Sequence, residues 1–244
     1  MQKITFATVG ASPALTFARH QLTAWGYSVL PQIDQTVTHL LLPVPSFQDD
    51  GTIRGGPPLE SLLPTLPKNI TILGGNLTAL PFSTVDFLKD PYYTAENAAI
   101  TAHCALTLAM QAMPRTLRNA KILLIGWGRI GKCLGEMLRS LGAELTVAVR
   151  KASDLALLEA MGYCAAPSDS LNPESYDLII NTAPTPILDG NRAKAGAILL
   201  DLASSPGISG DSVLWARGLP GKMAPESSGI LIAKTALRYA LRKE

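Results

Sequence analysis

A glycine-rich turn between an apolar run and a helical pattern constrains this chain more than any other feature. The apolar run ends at Ile125 and continues as Gly126-Trp127-Gly128-Arg129-Ile130-Gly131. In such a turn the first glycine permits a sharp bend out of a strand, the second lets backbone approach a pyrophosphate, and the third lets helix and strand pack closely. The helix start beyond it offers free N–H groups and a positive dipole end. We therefore predict that Gly126–Gly131 surrounds a dinucleotide pyrophosphate, with Arg129 and Ile130 donating backbone N–H groups.

A basic cluster follows the next predicted strand, Glu144 to Val149. Arg150, Lys151 and Ser153 stand here, about 20 residues beyond the glycine turn, and the first acid is Asp154. At this strand end a carboxylate would bind the ribose 2′-hydroxyl of NAD, whereas an arginine would accommodate the 2′-phosphate of NADP. The pattern favours NADP. The alternative, that Arg150 stacks on adenine and NAD is accepted too, stays open.

Composition excludes several functional classes. The 244 residues are 47% hydrophobic and 16% charged, which is ample for buried cores. A net charge of +2 gives no argument for nucleic acid as a partner. The three cysteines are scattered without metal-ligand spacing and are typical of free thiols in a reducing compartment. With no signal peptide or membrane span recognised, we expect a soluble cytoplasmic protein without a bound metal.

Strand and helix patterns alternate on both sides of a long apolar helix, predicted from about Ala95 to Met113. We predict an α/β fold with two Rossmann-like, doubly wound parallel-sheet domains joined by this bridging helix. Residues 1–94 form the expected substrate domain, and residues 95–224 hold the bridging helix and the nucleotide-binding domain. A final helix, 225–244, opens at Pro225 and is expected to pack back on the first domain.

Several strings in the sequence resemble those of a known family, the A subunit of dipicolinate synthase, which has a formate/glycerate dehydrogenase-like architecture. They are Tyr93-x-x-x-Asn97-x-x-x-Thr101, the glycine turn, Leu141-Gly142-Ala143, Ile180-Asn181-Thr182-x-Pro184, Leu200-Asp201-Leu202-Ala203-Ser204-x-Pro206-Gly207 and Gly218-Leu219-Pro220-Gly221-x-x-Ala224-Pro225. The resemblance covers about residues 41–231. The chain departs from the family pattern at three positions near the expected cleft: His103, Lys222 and Glu226.

The resemblance implies an activity and its partners. The family oxidises dihydrodipicolinate, or its hydrated precursor, to dipicolinate during endospore formation, with hydride passing to a nicotinamide cofactor. A flavoprotein-like B subunit is the implied partner, the mother cell of a sporulating bacterium is the implied location, and we also expect a homo-oligomer. Neither nucleic acid nor a membrane is expected as a partner.

The resemblance and the residue chemistry together give roles to particular side chains. We expect Thr182, Ala183 and Pro184 near the ribose or phosphates, and Leu202, Ala203 and Ser204 near the nicotinamide. A dianionic substrate needs cations and hydrogen-bond donors. The substrate candidates are Ser46, Arg54, Arg217, Pro220, Gly221 and Lys222. The catalytic candidates are Asn97, Thr101 and His103. His103 is either a proton acceptor or a buried structural histidine.

Two other functions stay open at this point. A 2-hydroxyacid-type dehydrogenase would share the architecture, although no Arg-Glu-His set is recognised at the strand ends. A non-catalytic subunit that senses NAD(P) and regulates a partner would bind the cofactor without turnover. Trp127 has two interpretations as well, because it either contacts the cofactor or only packs on the turn.

Overall fold

Two parallel sheets organise the protein, and each belongs to a separate unit of structure. The computed structural model describes residues 3–77 and 80–242. One unit comprises Met1–Asn97 and Pro220–Glu244, and the other comprises Ala98–Leu219. The first boundary falls inside the long helix, and the second falls between Leu219 and Pro220. Together the two sheets confirm the expected α/β class with parallel sheets.

The first unit contains a five-stranded sheet of order β2-β1-β3-β4-β5, in which every pair is parallel. Its strands are β1 (Thr5–Thr8), β2 (Ser28–Leu30), β3 (His39–Leu41), β4 (Thr71–Gly74) and β5 (Ser83–Asp86). The helices up to the boundary are α1 (Pro13–Ala24), α2 (Leu59–Leu62) and the start of α3 (Pro91–Ala112). After the second boundary come most of α6 (Leu219–Met223) and all of α7 (Pro225–Ala240).

Local sequence signals set the limits of the first unit's helices. The Ser12 hydroxyl caps α1 by accepting from the Leu15 N–H at 3.1 Å, and Pro13 occupies the first turn as predicted. Gly26, just beyond the helix, has a φ of +85°, which the absence of a Cβ permits. The predicted opening of α7 at Pro225 is also confirmed.

The second unit contains a six-stranded parallel sheet of order β13-β11-β9-β6-β7-β8. Its strands are β6 (Lys121–Ile125), β7 (Glu144–Val149), β8 (Cys164–Pro167), β9 (Leu178–Asn181), β11 (Ile198–Asp201) and β13 (Val213–Trp215). A separate short pair joins β10 (Leu188–Asp189) to β12 (Ile208–Ser209). The helices flanking this sheet include α4 (Arg129–Ser140) and α5 (Ala152–Ala160). Strands β6 and β9 are continuous apolar runs because helices and loops cover both faces of a parallel sheet.

The start of α3 corrects one prediction. The helix begins at Pro91 rather than near Ala95, because Asp90 caps it. The Asp90 carboxylate accepts from the Tyr93 N–H at 2.7 Å, and the Asp90 carbonyl accepts from the Thr94 N–H at 3.0 Å. The pair Asp90-Pro91 is itself a helix-start signal in the sequence, a cap followed by proline in the first turn.

Asp90 also connects α7 to the start of α3 within the first unit. Its side chain is only 2% exposed and accepts from the Arg238 guanidinium and the Tyr239 hydroxyl, each at 2.7 Å. Burial alone raises the pKa of Asp90, but the hydrogen bonds from Tyr239, the Tyr93 N–H and Arg238 outweigh it and hold the pKa below the ordinary 3.8. The ionised carboxylate therefore stabilises the folded unit.

We expect Asp90→Asn to lower the free energy of unfolding at pH 7 by about 2 kcal/mol, because the guanidinium loses its charged partner in a mostly buried site. Since the folded pKa lies below the unfolded one, the difference from wild type should persist above pH 3.8 and close as the pH falls below that value. Urea unfolding followed by circular dichroism measures both quantities. Lys89→Ala is the control: its side chain is 79% exposed and its ammonium lies 3.9 Å from Asp86, so a change below about 0.5 kcal/mol is expected. An equal loss in both variants would contradict the role of Asp90.

Candidate cofactor site

Four strand ends of the second unit lie side by side in register. Ile125 of β6 pairs with Asn181 of β9, Asn181 with Asp201 of β11, and Asp201 with Trp215 of β13. The chain leaves β6 toward β7 on one side and later returns to β9 on the other. Ligands of open α/β sheets bind outside the carboxyl ends of strands at such a reversal. The loops after these four residues are therefore the candidate site.

A cleft of about 470 Å³ opens at this edge. It is lined by residues of the glycine turn, the end of β7 and the loop after β9: Ile125, Gly126, Trp127, Gly128, Ala148, Val149, Arg150, Lys151, Asp154, Ser168, Thr182, Ala183, Pro184, Thr185 and Ile187. Eight of the predicted cofactor residues are among them. The predicted Ser153 and the segment Leu202–Ser204 lie outside this lining, and Arg129, Ile130 and Gly131 form the first turn of α4.

The glycine turn has the geometry that its spacing predicts. Gly126 has a φ of +97°, which a side chain would strain. A Cβ at Gly131 would overlap the carbonyl oxygen of Gly126, so helix and turn can pack together only with glycine here. A Cβ at Gly128 would meet nothing within 4 Å, because this residue faces open space. No side chain caps the start of α4 at Gly128, which leaves its first N–H groups available to an anion.

Thr182 connects the loop after β9 to the end of β6 by hydrogen bonds, next to the glycine turn. Its hydroxyl and its backbone N–H both donate to the Ile125 carbonyl oxygen at 2.9 Å. The two loops that flank the strand reversal are thus joined at one carbonyl group. Such a contact holds the floor of the cleft in one shape before a ligand arrives.

Asn181 and Asp201 form a fully buried polar pair at the ends of β9 and β11, and sequence reasoning gave them no role. The Asn181 amide donates to Asp201 at 2.9 Å and to the Ala183 carbonyl at 3.0 Å, and its oxygen accepts from the Ala183 N–H. The available signal was a polar residue at the end of each of two buried runs.

Asp201 accepts three backbone N–H groups besides the Asn181 amide. They belong to Ala203 at 3.0 Å, Gly207 at 2.7 Å and Ile208 at 2.9 Å. A carboxylate with no exposed surface is tolerated because both oxygens are satisfied in this way. The Asp201 carboxylate therefore sets the path of the whole loop between β11 and β12.

Trp127 packs on α4 as well as lining the cleft. Its ring meets Tyr163 edge-on at a centroid distance of 5.2 Å, and a Cβ at Gly135 would come within 2.7 Å of it. The Tyr163 hydroxyl donates to Glu136, and the Arg139 guanidinium lies 4.3 Å from the Tyr163 ring centroid. These contacts hold the glycine turn from outside.

The cleft has a basic end beyond β7. Arg150 and Lys151 are exposed and line it, as do Asp154 and Ser168, which sequence reasoning did not assign. Asp154 lies in the first turn of α5 rather than at the strand end. Arg150 and Lys151 therefore lie beside the position that the adenosine ribose of a dinucleotide would take.

The three catalytic candidates on α3 do not share one face. Asn97 and Thr101 are four residues apart and lie on the same side of a continuous helix. His103 is two residues beyond Thr101, so its side chain points roughly 200° around the axis from that of Thr101. His103 is also exposed, whereas Thr101 is only 9% exposed. The alternative of a buried structural histidine is therefore wrong, and His103 cannot share a small ligand with Thr101.

Two substrate candidates lie in the loop after β3 of the first unit. Ser46 is fully buried, and its hydroxyl donates to the Pro43 carbonyl at 2.8 Å and accepts from the Gly75 N–H at 2.9 Å. The structure thus gives Ser46 a role in closing the loop, and we leave it out of the proposed substrate site. Arg54 is exposed and donates to the Phe47 carbonyl at 3.3 Å.

The remaining substrate candidates lie around the second boundary. Pro220, Gly221 and Lys222 belong to α6, where Pro220 is buried and the other two are exposed. Arg217 belongs to the second unit and follows β13. Its guanidinium carbon lies 5.2 Å from the centroid of the Trp215 ring.

Across residues 3–77 and 80–242, no group of three or more His, Cys, Asp or Glu side chains could hold a metal ion. In the same described part of the chain, no helix has the length and apolar character needed to cross a membrane.

Comparison with known proteins identifies a sequence relative. The A subunit of dipicolinate synthase from Bacillus subtilis (strain 168) is 31% identical over 150 residues, which is 56% of this chain and 50% of the relative. The match therefore spans half the length of that relative. No protein-family model matches the chain.

Solved structures show the same fold along the chain. The A subunit of dipicolinate synthase from Bacillus halodurans superposes with a TM-score of 0.85 at 19% identity, covering 99% of each chain. Its counterpart from Bacillus subtilis has a TM-score of 0.81 at 22% identity, covering 98% of this chain and 97% of that one. A transhydrogenase from Sinorhizobium meliloti reaches 0.67 at 12% identity, covering 96% and 93%. The resemblance to the A subunit of dipicolinate synthase is confirmed.

The glycine turn offers a matched pair of substitutions. We expect Gly128→Ala to leave the free energy of unfolding within about 0.5 kcal/mol of wild type, because the new methyl group meets no atom. It should nevertheless weaken binding of a nicotinamide dinucleotide, with NADPH as the probe, at least tenfold, because the methyl group would stand between backbone and pyrophosphate. Gly131→Ala should destabilise the second unit by about 2 kcal/mol, since helix and turn must separate. Urea unfolding and titration calorimetry with NADPH measure the two effects. Unchanged NADPH binding in Gly128→Ala would contradict the assignment of the turn.

Proposed function

We propose that this chain is an NADP-dependent oxidoreductase and the A subunit of a dipicolinate synthase, oxidising dihydrodipicolinate or its hydrated precursor to dipicolinate. The observation that carries the proposal is the cleft with its basic end, on a chain whose sequence relative is the A subunit of dipicolinate synthase. Because that match covers half of the relative, the substrate is proposed and not shown. We also propose a flavoprotein-like B subunit as the partner, a homo-oligomer, and a location in the cytoplasm of a sporulating mother cell.

The shape of the cleft supports one direction for the cofactor. Arg150 and Lys151 would hold the adenosine end and its 2′-phosphate, and the glycine turn with the start of α4 would hold the pyrophosphate. The nicotinamide would then extend across the loops after β9 and β11, beside Ala183 and Ala203. Small residues at both positions let the ring approach backbone.

A hydride and a proton must leave dihydrodipicolinate as its ring becomes an aromatic pyridine, and the hydrated precursor must lose a water molecule as well. The cofactor supplies the hydride acceptor. The chain must hold two carboxylates next to it and provide a path for the proton. Arg217, at the end of β13, is the proposed cation for one carboxylate. Asn97 and Thr101, on one face of α3, remain proposed polar contacts, and His103 on the opposite side is not proposed as the base.

A turnover assay tests the proposal. Purified protein mixed with NADP⁺ and freshly generated dihydrodipicolinate should produce NADPH, seen as rising absorbance near 340 nm, together with dipicolinate in equal amount. The assay is run with and without the flavoprotein-like B subunit. Gly128→Ala serves as the inactive control because its fold is expected to be intact.

Each outcome has a distinct meaning. NADPH and dipicolinate in a 1:1 ratio support the proposal. Binding of NADPH without turnover in either condition overturns it in favour of a cofactor-sensing subunit. Reduction of NADP⁺ with a 2-hydroxy acid, but not with dihydrodipicolinate, overturns it in favour of a 2-hydroxyacid-type dehydrogenase.

Cofactor choice gives a second prediction. We expect Arg150→Ala to weaken NADPH binding about tenfold or more while leaving NADH binding nearly unchanged, because only NADPH places a phosphate against the guanidinium. Calorimetry with each cofactor measures the ratio. Arg192→Ala removes an exposed arginine of the same unit that lies outside the cleft lining, and it should change neither affinity. An equal loss for both cofactors in Arg150→Ala would instead indicate stacking on adenine.

A further inference from the structure

We propose that Trp215 is a positioning residue that holds Arg217 ready for a carboxylate of the substrate and holds the Ala203 peptide beside the nicotinamide. This inference rests on the proposed function and adds to it a residue that determines substrate affinity. It concerns only the second unit.

Trp215 makes one contact through its indole N–H and another through its aromatic ring. Its indole Nε1–H donates to the Ala203 carbonyl oxygen at 3.0 Å. The Arg217 guanidinium carbon lies over the Trp215 ring, 5.2 Å from the ring centroid, which is within the range of a cation–π interaction. Trp215 therefore contacts two of the segments that the proposed reaction needs.

The Ala203 peptide is held from both sides. Its N–H donates to the buried Asp201 carboxylate at 3.0 Å, and its carbonyl accepts from Trp215. Asp201 is fully enclosed, whereas Trp215 is 44% exposed on β13, at the edge of the sheet. Of the two partners of Ala203, Trp215 is thus the one with exposed surface.

The residue type matters because tryptophan alone combines an N–H donor with the largest aromatic face. Trp215 is 44% exposed on an edge strand, and it is outside the buried core, so its contacts with Ala203 and Arg217 distinguish it from a core aromatic residue. A guanidinium over a ring face makes no hydrogen bond to the ring atoms, so its N–H groups stay available for two parallel hydrogen bonds to a carboxylate. The ligand class that this arrangement fits is a carboxylate on a planar ring.

Two substitutions separate the two contacts. Trp215→Phe keeps an aromatic face but removes the N–H donor, and Trp215→Leu removes both. We expect Trp215→Leu to raise the KM for dihydrodipicolinate about two- to fivefold and to lower kcat, because both Arg217 and Ala203 lose their support. Trp215→Phe should restore the KM toward wild type while kcat stays low. Binding of dipicolinate to the NADPH-loaded protein, measured by calorimetry, should follow the KM.

Controls tie the effect to Arg217. Arg217→Met should raise the KM about tenfold or more, and adding Trp215→Leu to it should raise the KM no further. Leu214→Ala changes a neighbouring exposed side chain and should match wild type. The NMR signal of the Arg217 guanidinium should carry a ring-current shift in wild type and Trp215→Phe, and lose it in Trp215→Leu.

The failures are distinguishable. If wild type turns over dihydrodipicolinate but Trp215→Leu has an unchanged KM, or if the double variant is additive, the role of Trp215 is overturned while the proposed function stands. Absence of the ring-current shift in wild type overturns it too. If wild type neither turns over the substrate nor binds dipicolinate, the proposed function itself fails, and the substrate role of Trp215 fails with it.

Discussion

The arrangement of the loops at the carboxyl edge of the six-stranded sheet depends on one buried carboxylate, that of Asp201. A charge with no exposed surface is costly unless every lone pair has a donor, and here the donors are one side-chain amide and three backbone N–H groups. Those donors come from the end of β9, the loop after β11 and the start of β12. Since the charge is stabilised only when all of these segments are in place, they form as one cooperative unit. Asn181 then extends the same constraint to Ala183, at the floor of the cleft.

The fold could be predicted where burial leaves a pattern in the sequence. Strands β6 and β9 are covered on both faces, so they appear in the sequence as apolar runs. Helix starts are recognised from capping residues such as Ser12-Pro13. Strands β5, β8 and β13 are harder to predict, because they lie at sheet edges and are short and partly exposed, so no long buried run marks them in the sequence. Their pairing is decided by the neighbouring strand rather than by their own composition.

The site was predictable where backbone geometry restricts residue type, and less so where side chains meet in space. The glycine turn and Arg150 follow from spacing alone. The pairing of Asn181 with Asp201 depends on the strand order, which places residues 20 positions apart side by side. The buried hydroxyl of Ser46 likewise accepts a hydrogen bond from the N–H of Gly75, which is 29 positions away in the sequence. The separation of His103 from Thr101 around α3 follows from the helical period of 3.6 residues, whereas the exposure of His103 depends on how the helix packs.

The chain shares its fold with the two solved dipicolinate synthase structures at 19 and 22% identity. A pyrophosphate is recognised by N–H groups and a helix dipole, which need only glycine at a few positions. In the proposed function, the choice of cofactor and of substrate therefore depends on side chains at the two ends of the sheet edge, Arg150 after β7 and Arg217 after β13. Their strands are roughly 19 Å apart across the sheet at about 4.8 Å per strand, so in the proposed function each would meet a different part of the reactants. Both are exposed arginines, which are unspecific when solvated. What distinguishes Arg217 is the Trp215 ring beneath it, because a fixed guanidinium loses less entropy when a carboxylate binds.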